Sequence, residues 1–237
     1  MSVGLRKNAL PLGTKLRIVV IALLCIALLL SGLWWIWTGW SPARSEYPLQ
    51  GISVSARHGA IDWPGLRLQN VDFVYILAVS AAQERDAQFS ENWSGARSAG
   101  LRYGAELDYD PCKPAGDQAT LFITTVPRDN AALPPSVHLD WRGDCKGQTP
   151  GRDAILSELN TLINLIEAHS GKPVLLHITE AFEDRYDISR GINRTLWLDR
   201  NYFEPDYATR PWVMWTANDT RLISGISGTA AWDVVAP

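Results

Sequence analysis

The sequence predicts an α/β domain of parallel βα units, a barrel or a doubly wound sheet, carried behind one transmembrane helix. Three observations lead there. Along residues 51–237, short apolar runs alternate with segments of helix length, the pattern of strands joined by helical crossovers. Residues 152–169 place Ile155, Leu159, Leu162, Ile163 and Ile166 at three- and four-residue spacing, one apolar face of a helix. Near the start, residues 18–37 are twenty consecutive positions without a charge, enough at about 1.5 Å per residue to cross a hydrocarbon core of roughly 30 Å.

The first seventeen residues hold Arg6, Lys7, Lys15 and Arg17 and no acid, which leaves the remainder at a net charge of −7 against −3 for the whole chain. That asymmetry predicts a cytoplasmic basic segment (residues 1–17), an anchor (18–38) and an outward-facing domain, with Trp34, Trp35, Trp37 and Trp40 at the far interface. A cleaved signal peptide is the alternative, opposed by the length of the run and the absence of a small-x-small site after it. Residues 39–50, with Pro42 and Pro48 among small and polar residues, read as a linker. The remaining 51–237 form one domain, as 46% hydrophobic and 20% charged residues in a chain of 237 lead one to expect. No basic face suggests a nucleic-acid partner.

Candidate strands follow at residues 51–55, 73–79, 101–107, 136–140, 173–178, 195–198 and 212–215. The helix at 152–169 is stopped by Gly171 and Pro173, and a second is expected over 116–125 with Ala119 and Phe122 inward. Cys25 lies in the apolar run. Cys112 and Cys145 lie in the domain placed outside the cytoplasm, where disulfides persist, so they are expected to pair; two separate buried thiols are the alternative. His58, His169 and His177 show no ligand spacing with those cysteines, so no metal is expected, and no cofactor either.

Five stretches share one further property. Gly51-Ile52-Ser53-Val54-Ser55 with Gly59-Ala60-Ile61-Asp62-Trp63, then Phe73-Val74-Tyr75-Ile76, then residues 92–105, then Leu133-Pro134-Pro135-Ser136-Val137-His138-Leu139-Asp140-Trp141, and finally residues 212–215 with 225–234, resemble in order the motifs of the glycoside hydrolase family 25 lysozymes. Asp117-Gln118-Ala119, Val126-Pro127-Arg128-Asp129 and the cysteines near 112 and 145 resemble a Gram-negative branch of that family. The resemblance implies an irregular (β/α) barrel with a carbohydrate groove at the C-terminal ends of its strands, a location general to such barrels. It also implies a substrate, the β-1,4 bond between N-acetylmuramic acid and N-acetylglucosamine in peptidoglycan, reached from the periplasmic side of a bacterial inner membrane.

The family keeps four acids in its groove, and this chain departs at each. Ser53 stands for the Asp of the opening motif, His138 and Asp140 for the Asp and Glu of the D-x-E strand, and Ala231 for the Asp of the closing strand, with Asp233 two residues on. The resemblance assigns the Glu as acid and the preceding Asp as the group that orients the substrate's acetamido nucleophile. Two apart on a strand, His138 and Asp140 share a face, so a catalytic dyad is geometrically permitted. Its chemistry is weakened, because Asp140 is one methylene short and a misplacement of about 1 Å costs on the order of a hundredfold in rate. A cationic His138 would moreover hold Asp140 ionised. The expected outcome is either a residual muramidase or a catalytically inactive wall-binding module.

Glu106 and Asp108 share a face of the third strand and are candidates for a relocated acid set, or alternatively for a solvated loop with Asp110 beside the cysteine crosslink. Ser53, Asp233, Trp141 and Trp215 complete the candidate groove, the tryptophans either stacking on sugars or packing in the core. Asp62 is expected to cap a helix rather than to catalyse.

Overall fold

A computed structural model describes residues 12–141, 143, 145 and 149–237. Residues 1–11 of the expected basic segment, Arg6 and Lys7 among them, lie outside the described residues. The chain divides into two compact units, residues 1–39 and 40–237.

The described residues of the first unit form one helix, α1 (Leu12–Gly39, 28 residues). Its apolar stretch has a mean hydropathy of 2.7, and its leucines, isoleucines and tryptophans are exposed on every side. At about 1.5 Å per residue it is longer than a hydrocarbon core.

The second unit is a closed eight-stranded barrel in sequence order. The strands are β1 (Gln50–Val54), β2 (Phe73–Val79), β3 (Arg102–Asp108), β4 (Ser136–Leu139), β5 (Leu175–Ile178), β6 (Thr195–Asp199), β7 (Met214–Leu222) and β8 (Thr229–Val235). Successive pairs from β1 to β7 are parallel, whereas β8 is antiparallel to both β7 and β1. The connection explains the exception. Only residues 223–228 separate β7 from β8, too few for the dozen or more that a parallel crossover needs, and Gly225 and Gly228 turn the chain there with φ of 91° and 76°. β7 is also longer than the 212–215 run predicted, because its outer half pairs with β8 in this exposed hairpin.

The helices are α2 (Trp63–Leu68), α3 (Phe89–Ser98), α4 (Ala115–Thr125), α5 (Arg152–Ser170), α6 (Glu180–Tyr186) and α7 (Ile188–Gly191). α5 buries the five residues that its spacing selected and ends at Gly171, left-handed at φ 70°. Asp62 caps α2, accepting from the Gly65 amide at 3.1 Å, the structural role expected of it. Residues 40–49, read from composition as a linker, pack against the barrel: Tyr47 is 6% exposed, Trp40 meets Trp215 and Tyr202, and Arg44 pairs with Asp72 at 2.9 Å. Cys112 and Cys145 form a disulfide, Cα–Cα 5.3 Å, tying the segment after β3 to that after β4.

One large core fills the space between the helices and the outer face of the barrel. A second, smaller cluster of Phe73, Tyr75, Leu175, Trp197 and Met214 occupies the barrel's lower interior. Gly51 and Gly104 make room for it, since a Cβ would come within 2.4 Å of Phe73 at the first and 2.6 Å of Tyr75 at the second.

Candidate active site

Above that apolar floor the inward residue two positions on is polar on β5, β6 and β7, while β2 continues from Tyr75 to Leu77. Leu175 gives way to His177 on β5, Trp197 to Asp199 on β6, and Met214 to Thr216 on β7, as the two-residue period of a strand requires. These side chains, with Ser53, Glu106, Asp108, His138, Asp140, Asp219 and Ala231, line a cavity of about 380 Å³ at the mouth, within the size range of ligand sites. A larger cavity of about 730 Å³ opens at the opposite end, among Glu167, Lys172, Arg194 and Arg210. Its cations are committed: Arg194 to Glu167 at 2.7 Å, Lys172 and Arg210 to backbone carbonyls.

Two imidazoles organise the mouth. His177 lies flat on Trp197, centroids 3.9 Å apart and planes at 6°. Its Nδ1 faces Glu106 Oε2 at 2.9 Å and its Nε2 faces Asp199 Oδ1 at 2.6 Å. His138, on the adjacent strand and 4.4 Å away between ring centroids, sets Nδ1 against Asp108 Oδ1 at 3.0 Å. Its Nε2 is 3.6 Å from Asp199 Oδ2, an ion-pair distance too long for a hydrogen bond. Ser136 Oγ donates to Glu106 Oε2 at 3.0 Å.

The electrostatics follow from this packing. Burial alone would strip the proton from His177, but the charge of Asp199, helped by Glu106 and opposed by His138, raises its pKa to about 9. Burial likewise opposes charge on His138, and Asp108 and Asp199 outweigh it, lifting His138 well above its ordinary value. Both rings are therefore cationic at neutral pH. Asp199 pays the same desolvation penalty, and the two imidazoliums overcome it, holding its pKa far below the usual carboxylate range. Asp233 is the reverse case: buried completely, it is pushed up to about 7 by desolvation despite accepting from Ser53 and Thr216 at 2.8 Å each.

The expected site residues separate accordingly. Ser53, Glu106, Asp108, His138, Asp140 and Ala231 meet in the cavity, so Glu106 and Asp108 are not a solvated loop. Asp233 does not line it; the antiparallel register pairs Ala231 with Ser53 and Asp233 with Gly51, putting Asp233 one layer deeper. Trp215, expected in the groove, is 2% exposed and packs on Tyr47, Trp40 and Trp212, because its strand position faces outward to the helices. Trp141 also lies off the cavity lining, with the Arg185 guanidinium 4.2 Å above its ring.

Sequence reasoning missed Asp199, and passed over His177 because linear spacing showed no ligand pattern. Each ends an apolar run, Leu175-Leu176-His177 and Leu196-Trp197-Leu198-Asp199, and a polar residue at the C-terminal end of a barrel strand is the signal that could have found them. Glu106, His138 and His177 in fact each present a ligand-type atom, all within 4.8 Å of one another. His58 and His169 stand apart. His58 accepts from Ser55 N at 2.9 Å and is driven neutral by burial and by Arg57; His169 bonds the Val126 carbonyl.

Comparison with known proteins places this geometry. The profile of the glycosyl hydrolases family 25 matches residues 52–226. Lysozyme M1 of Streptomyces globisporus is 34% identical over 90 residues, 36% of this chain and 31% of that relative, so the match spans about a third of the relative's length. A solved family 25 glycosyl hydrolase from Bacillus anthracis superimposes with a TM-score of 0.75 at 28% identity, covering 84% of this chain and 92% of that one. A bacterial lysozyme from Streptomyces coelicolor shares the fold at a TM-score of 0.68 and 22% identity, covering 79% and 91%.

Proposed function

Since the chain belongs to glycosyl hydrolase family 25, we propose that its barrel mouth engages the glycan strands of peptidoglycan and cleaves the β-1,4 MurNAc–GlcNAc bond slowly, with Asp140 as the acid. The observation that carries this reading is Asp140 itself, which lines the mouth cavity just beyond the end of β4 beside His138, where the family's motif has its acid. Glycoside cleavage needs a proton for the leaving oxygen and stabilisation of an oxocarbenium-like centre. Asp140 can supply the first. The second is impaired, because a cationic His138 would donate to the substrate's acetamido oxygen and tie up the lone pair that must attack.

That same cation favours a second reading, a module that holds glycan without cutting it. The ion-paired carboxylates Asp108 and Asp199 accept bonds from the imidazoles rather than delivering protons, and a mouth rich in donors and acceptors suits hydroxyl and amide recognition. Purified full-length protein in detergent, incubated with isolated peptidoglycan, decides between them by released reducing ends. Slow release that Asp140→Asn abolishes and Asp140→Glu increases supports the hydrolase. Sedimentation with the wall and no release from any variant supports the holder, and release unchanged in Asp140→Asn removes Asp140 from the mechanism.

The same proposal holds the domain at the bacterial inner membrane through α1, N-terminus cytoplasmic and barrel periplasmic, in a Gram-negative branch of the family. The exposed apolar circumference of α1, which water would not tolerate at that area, and the disulfide support it. Membrane fractionation and N-terminal sequencing of the mature protein test it. A soluble product beginning after residue 38 would replace the anchor with a cleaved signal.

A further inference from the structure

We propose that Glu106, His138 and His177 form a binding site for one divalent transition-metal ion of the zinc and cobalt class at the barrel mouth. The three residues stand on adjacent strands β3, β4 and β5, and one ligand-type atom from each lies within 4.8 Å of the others. Glu106 Oε2 and His177 Nδ1 are 2.9 Å apart, close to the spacing of two neighbouring ligands at metal bonds of about 2.0–2.1 Å. His138 Nε2 is the third donor. It is buried and makes no hydrogen bond, lying 3.6 Å from Asp199 Oδ2, and like His177 Nδ1 it becomes a ligand by releasing its proton to solvent as the metal binds.

The surroundings are those of a supported site. A metal-ligating imidazole ordinarily gives its other nitrogen to a carboxylate that fixes the ring, and both rings do so here: His138 Nδ1 to Asp108 at 3.0 Å and His177 Nε2 to Asp199 at 2.6 Å. Ser136 Oγ fixes the carboxylate ligand in the same way, and stacking on Trp197 sets the plane of His177. Two imidazole nitrogens and one carboxylate oxygen suit zinc, cobalt and iron better than magnesium or calcium, which favour all-oxygen sets. The acids Asp108 and Asp199 add negative charge that favours a cation. With three protein ligands, a four-coordinate ion keeps one position for solvent or a ligand oxygen.

This site does not rest on the glycan reading, since it is read on the protein alone. Tag-free full-length protein in detergent, stripped with chelator, is titrated with Co²⁺ and with Zn²⁺ by calorimetry and visible absorption. One ion per chain is expected, with d–d bands that Zn²⁺ bleaches. His138→Ala and His177→Ala should each weaken binding by tenfold or more, and His169→Ala, at the far end of α5, should leave it unchanged. A measurement on the unmutated protein guards against variants that fail to fold: the Co²⁺-loaded chain should show two exchangeable imidazole N–H proton resonances shifted far outside the ordinary range, from His138 Nδ1 and His177 Nε2. Absence of stoichiometric binding, binding that survives loss of both histidines, or a Co²⁺ complex without those resonances overturns the proposal.

Discussion

On β5 the inward side chains run Leu175 then His177, on β6 Trp197 then Asp199, and on β7 Met214 then Thr216. The same three strands thus build two different interiors a single two-residue step apart. Below, Phe73, Tyr75, Leu175, Trp197 and Met214 pack as a closed apolar floor. Above, Glu106, Asp108, His138, His177 and Asp199 satisfy one another's charge in a half-enclosed space. The floor stabilises by burial. The mouth gains far less, because desolvating ions offsets most of their attraction and well-packed apolar residues would do as well or better. What the mouth gains for that cost is chemistry: donors, acceptors and charge held at fixed positions around a cavity.

The largest effect expected of any single change is therefore in the floor. Trp197→Ala should cost about 3–5 kcal/mol of unfolding free energy, since Trp197 is fully buried, carries the His177 ring and donates to Thr216 at 2.9 Å. Denaturant unfolding followed by circular dichroism measures it, and a loss below about 1 kcal/mol would erase the distinction between floor and mouth. Next comes Asp199→Asn, expected to cost about 1–3 kcal/mol at pH 7. Asp199 is the shared counterion of both imidazoles, at 2.6 and 3.6 Å, and its partial exposure to water holds the loss below that of a fully buried pair. A neutral or stabilising result would mean that the rings are not held as cations.

How much of this was legible in the sequence follows the same division. Strands and helices announced themselves by apolar pattern: the five inward residues of α5 by their three- and four-residue spacing, and the strands over 73–79 and 136–140 as short apolar runs between segments of helix length. The motif resemblance brought Ser53, His138, Asp140 and Ala231 to one mouth, and all four line it. The ion-pair network was not legible. Its bonds join residues 22 to 71 positions apart, such as His177 with Asp199, Asp108 with His138 and Glu106 with His177, and no linear spacing records which strands become neighbours. Trp215 misled for a related reason, because an aromatic beside a groove motif does not disclose which face of the strand it occupies. The segment 40–49 misled by composition: small and polar residues read as a linker, yet Tyr47, Trp40 and Arg44 hold it to the barrel.

A pH titration sharpens the comparison, since the histidines sit at the mouth, Asp233 lies just beneath it, and burial pushes Tyr75 in the floor far above the ordinary tyrosine range. His177 has a folded pKa raised to about 9 from 6.5. Its contribution is fully present below about pH 6.5 and disappears as pH rises through 9, on the order of 3 kcal/mol in all. His138 is shifted in the same direction and adds to the loss. Asp233, raised from 3.8 to about 7, also favours the fold when protonated, so its contribution fades between about pH 4 and 7. Stability should fall from pH 6.5 to 9.5, with Asp233→Asn removing only the part lost below neutrality. A flat profile over that upper range would contradict the ion-paired assignment of His177.

The smallest effect on stability is expected at the residue with the largest proposed role in function. Asp140→Asn should shift unfolding free energy by no more than about 1 kcal/mol, because Asp140 is half-buried at the rim of the cavity and asparagine keeps the size and the acceptor oxygen of the side chain. The isosteric amide keeps size and hydrogen-bonding capacity while removing the exchangeable proton that glycoside cleavage requires. Denaturation and reducing-end release measured on the same preparation put the two on one axis. Little change in stability with release lost places Asp140 in the chemistry of the mouth. A stability loss above 2 kcal/mol would instead make Asp140 a structural member of the charge network and leave the proton donor to be sought among Glu106 and His138.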